Sequence, residues 1–177
     1  ERCKQRGIVV QVELWATHDL VHLKRDTPGV WPTHPLNPNN NINYGFHPET
    51  IFPRQPRSNM NDAFYQTIPV LKHDRKVLKY QQAFVDKILS YALDFDNVLY
   101  CVDNEQRPQH PYQWGHYWAK YVQNKASQQG KTIYISEMLR DFSTPKDKSL
   151  SRTKRMVGGK FASLFDYPNI YSFFEFS

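Results

Sequence analysis

The order of apolar and polar positions divides this chain of 177 residues into alternating strands and helices. Residues 8–15 have aliphatic side chains at every second position (Val10, Val12 and Leu14), which is the period-two pattern of a strand. Residues 74–94 have instead the three-to-four spacing of a helix that buries one side. The apolar positions at that spacing are Val77, Tyr80, Phe84, Ile88, Tyr91 and Phe95.

The same alternation continues toward the carboxyl end of the sequence. Residues 97–102 are a nearly continuous apolar run, which is typical of a parallel strand that is buried on both faces. Pro111 opens a predicted helix and Gly130 ends it, because proline suits the first helical position and glycine the position after the last. The inner side of this helix carries Trp114, Tyr117, Trp118, Tyr121 and Val122. The remaining predicted elements are strands at 132–136 and 169–176 and a helix at 152–165.

The segments between and outside these elements indicate how the chain is organised. Residues 17–69 are rich in Pro and Asn, and loops of that length tend to be functional or disordered. Residues 1–7 resemble the last turn of a helix with glycine just beyond it, and residues 169–177 resemble a strand with nothing after it. We therefore expect residues 1–177 to be a single, truncated domain.

Strands that alternate with helices predict a parallel sheet covered by helices, either open and doubly wound or closed as a (β/α)8 barrel. A doubly wound nucleotide-binding sheet usually has a glycine-rich phosphate loop after a strand, and none is present. Polar residues instead follow the predicted strands, where barrel enzymes keep their catalytic groups. They are Thr17-His18-Asp19, Asp103-Asn104-Glu105, Glu137 and Glu175. This pattern favours an α/β fold of the (β/α)8 barrel type.

Composition excludes several classes of function. The net charge is +6, but the basic residues are dispersed, so we expect a solvated surface and no nucleic-acid partner. No apolar run approaches the roughly 20 residues of a membrane span, so no membrane association is expected. Only Cys3 and Cys101 are present, without a CxxC pair, and the seven His residues lack a metal-ligand spacing. Neither a metal nor a cofactor is therefore expected. The 15% aromatic content suits a sugar-binding cleft, but also an ordinary core.

The segment from Asn97 to Glu105, Asn-Val-Leu-Tyr-Cys-Val-Asp-Asn-Glu, resembles a motif of the clan of retaining glycoside hydrolases that includes the family 5 cellulases and mannanases. In that clan the motif lies on strand four of a (β/α)8 barrel. Residues 31–41 are similar to the Pro- and Asn-rich loop after strand three, and residues 80–96 to the helix before strand four. The resemblance implies that the chain covers about strands three to six, and only the Asn-Glu pair in it is specific.

The resemblance also implies roles for individual residues. Glu105 would be the catalytic acid/base, Asn104 would hydrogen-bond the sugar 2-hydroxyl, and His18 would contact substrate hydroxyls. The nucleophile would lie on strand seven, beyond this sequence, so the chain by itself is expected to be inactive. The function implied is hydrolysis of O-glycosidic bonds in a β-linked glycan, with an oligo- or polysaccharide as the partner. The family favours a secreted or periplasmic location.

Each candidate also has a simpler interpretation. Glu105 with Asn104 could cap the following helix, and His18 could be an ordinary loop histidine. Trp15 and Trp31 could be sugar platforms or core residues. Glu137 could lie near the sugar or form a structural ion pair, and Glu175 would be the replacement nucleophile if the family register failed. The alternative function is a catalytically idle carbohydrate-binding or scaffolding barrel.

Overall fold

The structure is a computed structural model, and part of the chain can be described from it. The described residues are 1–16, 33–42, 64–104, 111–139, 167–173 and 175–176, without the side chains of Leu139, Glu175 and Phe176. They contain three helices, α1 (Arg2–Gln5), α2 (Arg75–Ala92) and α3 (Tyr112–Gln128), and five strands, β1 (Val10–Ala16), β2 (Val98–Asn104), β3 (Tyr134–Ser136), β4 (Met138–Leu139) and β5 (Glu175–Phe176). The predicted order of strands and helices is therefore confirmed from β1 to β3. The helix predicted at 152–165 lies outside the described residues.

Three of the strands form a sheet in the order β1-β2-β3. β2 and β3 are parallel, with Tyr100 opposite Ile135 and Cys101 opposite Ser136. Four consecutive residues of β2, from Tyr100 to Asp103, are buried, so both faces of this central strand are covered, as its continuous apolar run predicts. β4 and β5 form a separate parallel pair.

The prediction of a (β/α)8 barrel, whole or partial, is wrong for the described part of the chain. A barrel requires its strands to be hydrogen-bonded to both neighbours in one continuous sheet. The described strands fall instead into a sheet of three and a separate pair. The fourth predicted strand, at 169–176, is extended only at Glu175–Phe176, and its start is a turn in which the Ile170 amide donates to the Tyr167 carbonyl at 2.9 Å. Alternation of strands and helices predicts which strands are neighbours, but it carries no information about closure.

The ends of α1 and α3 are determined by glycine. Gly7 and Gly130 both have a φ of +67°, a left-handed conformation that glycine adopts without steric cost. At α3 the Gly130 amide donates to Ser127 and the Lys131 amide to Ala126, both at 2.9 Å. This is the pattern of a Schellman motif, which satisfies the last carbonyls of the helix. Both helix ends were predicted from the sequence and are confirmed.

α2 is confirmed as a helix, but its buried face differs from the prediction. Phe84 and Tyr91, assigned to the buried stripe, are 48% and 64% exposed. The residues buried along α2 are Val77, Leu78, Gln81, Val85, Leu89 and Ala92. Two stripes with helical spacing run side by side here, and the one made mainly of compact aliphatic side chains is the buried one.

The contacts divide the chain into two compact units, one of residues 1–15 with 88–177 and one of residues 16–87. In the second unit, the buried Thr67 hydroxyl donates to Gln81 Oε1 at 2.6 Å. The amide of Val77 donates to the Asp74 carboxylate at 3.1 Å, which caps the start of α2. The first unit contains the sheet, α3 and the residues considered below. The expectation of a single truncated domain stays a prediction.

Candidate functional site

The structure brings some of the predicted site residues together. Three of them lie outside the described residues, namely His18, Trp31 and Glu105. Asn104 is the last residue of β2 and is half-buried, and Glu137 directly follows β3. Because β2 and β3 are parallel neighbours, Asn104 and Glu137 lie at the same carboxyl edge of the sheet. For Glu175 the backbone belongs to β5, and its side chain is not among those described.

The strand register gives the spacing between Asn104 and Glu137 along the strands. Cys101 lies opposite Ser136, so Glu137 is one residue past this pair and Asn104 is three residues past it. Two residues of extended chain span about 7 Å. Glu137 is therefore set deeper in the sheet than Asn104, below the edge at which a substrate would arrive.

Trp15, the third described candidate, belongs to a cluster of tryptophans. Its ring centroid is 6.0 Å from that of Trp114 and 5.4 Å from that of Trp118, and the centroids of the latter two are 6.0 Å apart. Trp114 and Trp118 are fully buried, and Trp15 is only 9% exposed. A sugar platform needs an open ring face, so this arrangement favours the core interpretation of Trp15.

The side chain of Glu137 is almost completely enclosed, with 2% of its surface exposed. Its Oε2 atom accepts a hydrogen bond of 2.6 Å from the Tyr171 hydroxyl. Its Oε1 atom has no hydrogen-bond partner among the described residues. From the described residues, a carboxylate in this place would receive one hydrogen bond and no opposite charge, which is less than a buried anion requires.

A glycine of α3 makes the space that Glu137 occupies. A Cβ atom built on Gly115 would overlap both carboxyl oxygens of Glu137. The carboxyl group therefore lies directly against the backbone of the first turns of α3. Glycine is unfavourable inside a helix by up to about 1 kcal/mol relative to alanine, so Gly115 carries a cost that this contact explains.

Burial raises the pKa of the Glu137 carboxyl from its ordinary 4.5 to about 7, and the hydrogen bond from Tyr171 opposes this shift only in part. Glu137 is therefore a neutral acid over most of the range below neutral pH. Burial, followed by the nearby Glu137 carboxyl, also raises the pKa of the Tyr171 phenol, which stays protonated. The pair is a neutral acid that accepts a hydrogen bond from a neutral phenol.

The ring of His116 lies beside the rings of Tyr167 and Tyr171. The His116 ring lies 4.3 Å from that of Tyr167 and 5.6 Å from that of Tyr171, measured between centroids. Burial, and then the charge of Lys120, lower the pKa of His116 below its usual value. Both effects favour the neutral form of the His116 imidazole. Its buried Nε2 atom has no partner among the described residues.

The turn that carries Tyr171 is tied to both β3 and α3. The Ser172 amide donates to the Ile135 carbonyl at 2.8 Å, and the Ile135 amide donates to the Ser172 hydroxyl at 3.3 Å. From α3, the Gln123 side chain donates to the Ile170 carbonyl at 2.8 Å. Residues 167–173 therefore form a strap across the end of β3 and the side of α3.

Sequence reasoning found Glu137 but missed its partners Tyr171, Gly115 and His116. A glycine inside an otherwise regular helical pattern was the one available signal, because it indicates a close contact at that position. Tyr171 could not have been found in this way, since it was assigned to a strand and lies in a turn.

Among the described residues, no group of three or more His, Cys, Asp or Glu side chains could hold a metal ion. In the same part of the chain, no helix is both long enough and apolar enough to cross a membrane. Comparisons with protein families, with curated proteins and with solved structures found no match to this chain.

Proposed function

We propose that this chain takes part in the hydrolysis of O-glycosidic bonds in a β-linked glycan, with Glu105 as the acid/base and Asn104 as a sugar-binding residue. The observation that carries the proposal is the position of Asn104 at the carboxyl end of β2, beside the parallel strand β3. The carboxyl edge of a parallel sheet is where α/β enzymes bind their ligands. Glu105 is the next residue of the chain.

The chemistry requires two carboxyl groups. In a retaining enzyme these are about 5–5.5 Å apart, one donating a proton to the leaving oxygen and the other attacking the anomeric carbon. The resemblance gives the first role to Glu105 and the second to a residue beyond this sequence. The proposal therefore includes the expectation that the 177 residues by themselves do not turn over a substrate.

Replacing Glu105 in the full-length protein tests the proposal. Glu105→Gln should nearly abolish hydrolysis of glycosides with poor leaving groups, because these need a proton on the departing oxygen. Aryl glycosides with good leaving groups need little protonation, so their first step should survive while the second slows. Added azide should restore turnover and give a β-glycosyl azide, because an anionic nucleophile needs no general base.

Glu13→Gln is the matched control, since Glu13 is exposed on β1. It should leave activity on both kinds of glycoside unchanged. Unchanged activity in Glu105→Gln would remove Glu105 from the mechanism. Loss of activity on both glycosides without rescue by azide would assign it a different role, as the nucleophile or as structural support.

One observation favours the second candidate, a catalytically idle carbohydrate-binding or scaffolding protein. Asp103 and Glu137, the described carboxyl side chains at this edge of the sheet, are 0% and 2% exposed. Neither is open to a substrate as it stands. Calorimetric binding of a β-linked oligosaccharide, together with no product release by the full-length protein after prolonged incubation, would decide for this candidate.

A further inference from the structure

Three separate parts of the first unit meet at the Glu137 carboxyl group. β3 leads into Glu137 itself, α3 contributes the backbone of Gly115 beneath both oxygens, and the strap of residues 167–173 contributes the Tyr171 hydroxyl. The strap and α3 are also joined by the hydrogen bond from the Gln123 side chain to the Ile170 carbonyl. Glu137 is the point at which all three are in contact.

The two oxygens of this carboxyl group have different surroundings. Oε2 accepts the hydrogen bond from Tyr171, whereas Oε1 meets no donor among the described residues. A neutral carboxylic acid suits this arrangement better than a carboxylate, with its carbonyl oxygen at Oε2 and its hydroxyl at Oε1, because an unpaired buried hydroxyl costs less free energy than an unpaired buried charge. In a carboxylate the negative charge would be shared by an oxygen that is buried without a donor among these residues.

Among the described residues, the titratable and charged groups around Glu137 supply no compensating positive charge. Tyr171 faces it from the strap, and the pKa of this phenol is raised, so it stays neutral. From α3 the neighbouring titratable group is His116, whose pKa is lowered by burial and then by the charge of Lys120, so that its neutral form is favoured. On β2, Cys101 and Asp103 are both buried, and neither is a cation at any pH. Within the described part of the chain, ionised Glu137 would therefore be a buried anion without an opposite charge.

We propose that Glu137 is a proton-dependent latch: as a neutral acid it holds the strap of residues 167–173 and the first turns of α3 against the end of β3, and loss of its proton loosens this junction. The ionised side chain gains free energy by reaching water, which it can do only if Tyr171 or α3 moves away. The latch does not depend on the proposed glycan hydrolysis. Because Asn104 ends the neighbouring strand at the same edge, the latch would also change the surroundings of the proposed sugar site.

The stability of the full 177-residue chain as a function of pH tests this inference. The carboxyl pKa is about 7 in the folded state and 4.5 as the ordinary value, so Glu137 stabilises the fold fully below pH 4.5 and less as the pH rises toward 7. From these two values, Glu137 alone should raise the unfolding constant about 70-fold between pH 5 and pH 8. Denaturant unfolding, followed by tryptophan fluorescence at several pH values, measures this change.

Two variants separate the latch from a merely structural role. Glu137→Gln keeps the size and the neutral state of the side chain. The 70-fold increase in the unfolding constant between pH 5 and pH 8 should therefore be absent in this variant. Tyr171→Phe removes the hydrogen bond that lowers the pKa of Glu137, so the loss of stability should extend to higher pH than in the wild type. The control Asp94→Asn, at an exposed position after α2, should retain the profile of the wild type.

A Glu137→Gln variant with the same pH profile as the wild type would overturn the proposal. So would a Tyr171→Phe variant whose transition moves to lower pH. If either variant does not fold, an NMR titration of the Glu137 carboxyl carbon in the wild-type chain measures the midpoint of its ionisation directly. A Glu137 midpoint close to 7 supports the latch, and a midpoint close to 4.5 refutes it.

Discussion

Replacement of Gly115 by alanine should destabilise the protein, although it improves the helix-forming tendency of α3. Alanine is favoured over glycine inside a helix by about 1 kcal/mol. At this position, however, the new Cβ would overlap both carboxyl oxygens of Glu137. The carboxyl group must then leave its place, and the hydrogen bond that it accepts from Tyr171 is lost.

The size of this effect follows from three contributions. Forcing an extra carbon into a filled site costs about 1–3 kcal/mol, and loss of the hydrogen bond costs about 1 kcal/mol more. Subtracting the gain in helix propensity of about 1 kcal/mol leaves a net loss of about 1–3 kcal/mol. Guanidinium unfolding at pH 5, where Glu137 is neutral, measures this difference without a contribution from the charged form.

A double-mutant cycle identifies the cause of the loss. In a Glu137→Ala background the carboxyl group is absent, so Gly115→Ala should be neutral or should stabilise by up to about 1 kcal/mol. Asn124→Ala, at an exposed position of α3, is the control for helix propensity alone and should stabilise slightly. If Gly115→Ala is as stable as the wild type while Glu137 is present, the contact with Glu137 is not what maintains glycine at this position.

Three further outcomes follow from the same structure. The pKa of Glu137 is about 7 in the folded state and ordinarily 4.5, and this difference corresponds to about 3 kcal/mol of stability. This stability is present below pH 4.5 and is lost by pH 7, so unfolding curves across that range should reveal it. Asp74→Ala removes the cap of α2 and should cost about 1 kcal/mol in thermal or denaturant unfolding. Thr67→Val keeps the shape of the side chain but leaves the buried Gln81 oxygen without its donor, so the free energy of unfolding should fall by about 1–3 kcal/mol. An unchanged unfolding midpoint would contradict this hydrogen bond.

Local sequence signals predicted the elements of this protein well. The continuous apolar run of β2 and the glycines at the ends of α1 and α3 act through neighbouring residues along the chain. A left-handed turn at Gly7 or Gly130 needs only the absence of a Cβ, and a strand buried on both faces needs apolar side chains at successive positions. These features depend on a few consecutive residues, and in the structure they occur at the predicted positions.

The buried face of α2 shows where local signals stop being sufficient. Its aromatic stripe and its mainly aliphatic stripe both have helical spacing, so periodicity alone cannot choose between them. The choice depends on which stripe fits the surface opposite the helix. In the structure Val85 is fully buried and its neighbour Phe84 is half exposed.

The barrel prediction and the site show that local sequence patterns also do not determine contacts between residues that are far apart along the chain. Alternating elements specify which strands are neighbours, whereas closure depends on the tilt and stagger of the complete set of strands. In the site, Glu137 is separated by 22 residues from Gly115 and by 34 from Tyr171. Only tertiary structure brings these residues together, and the neutral, buried state of Glu137 follows from that meeting and not from its sequence neighbours. The sequence by itself thus determined β1 to β3, α1 to α3 and the position of an acidic residue after β3. The tertiary structure decided that this acid would be enclosed, because burial is a property of the folded chain as a whole.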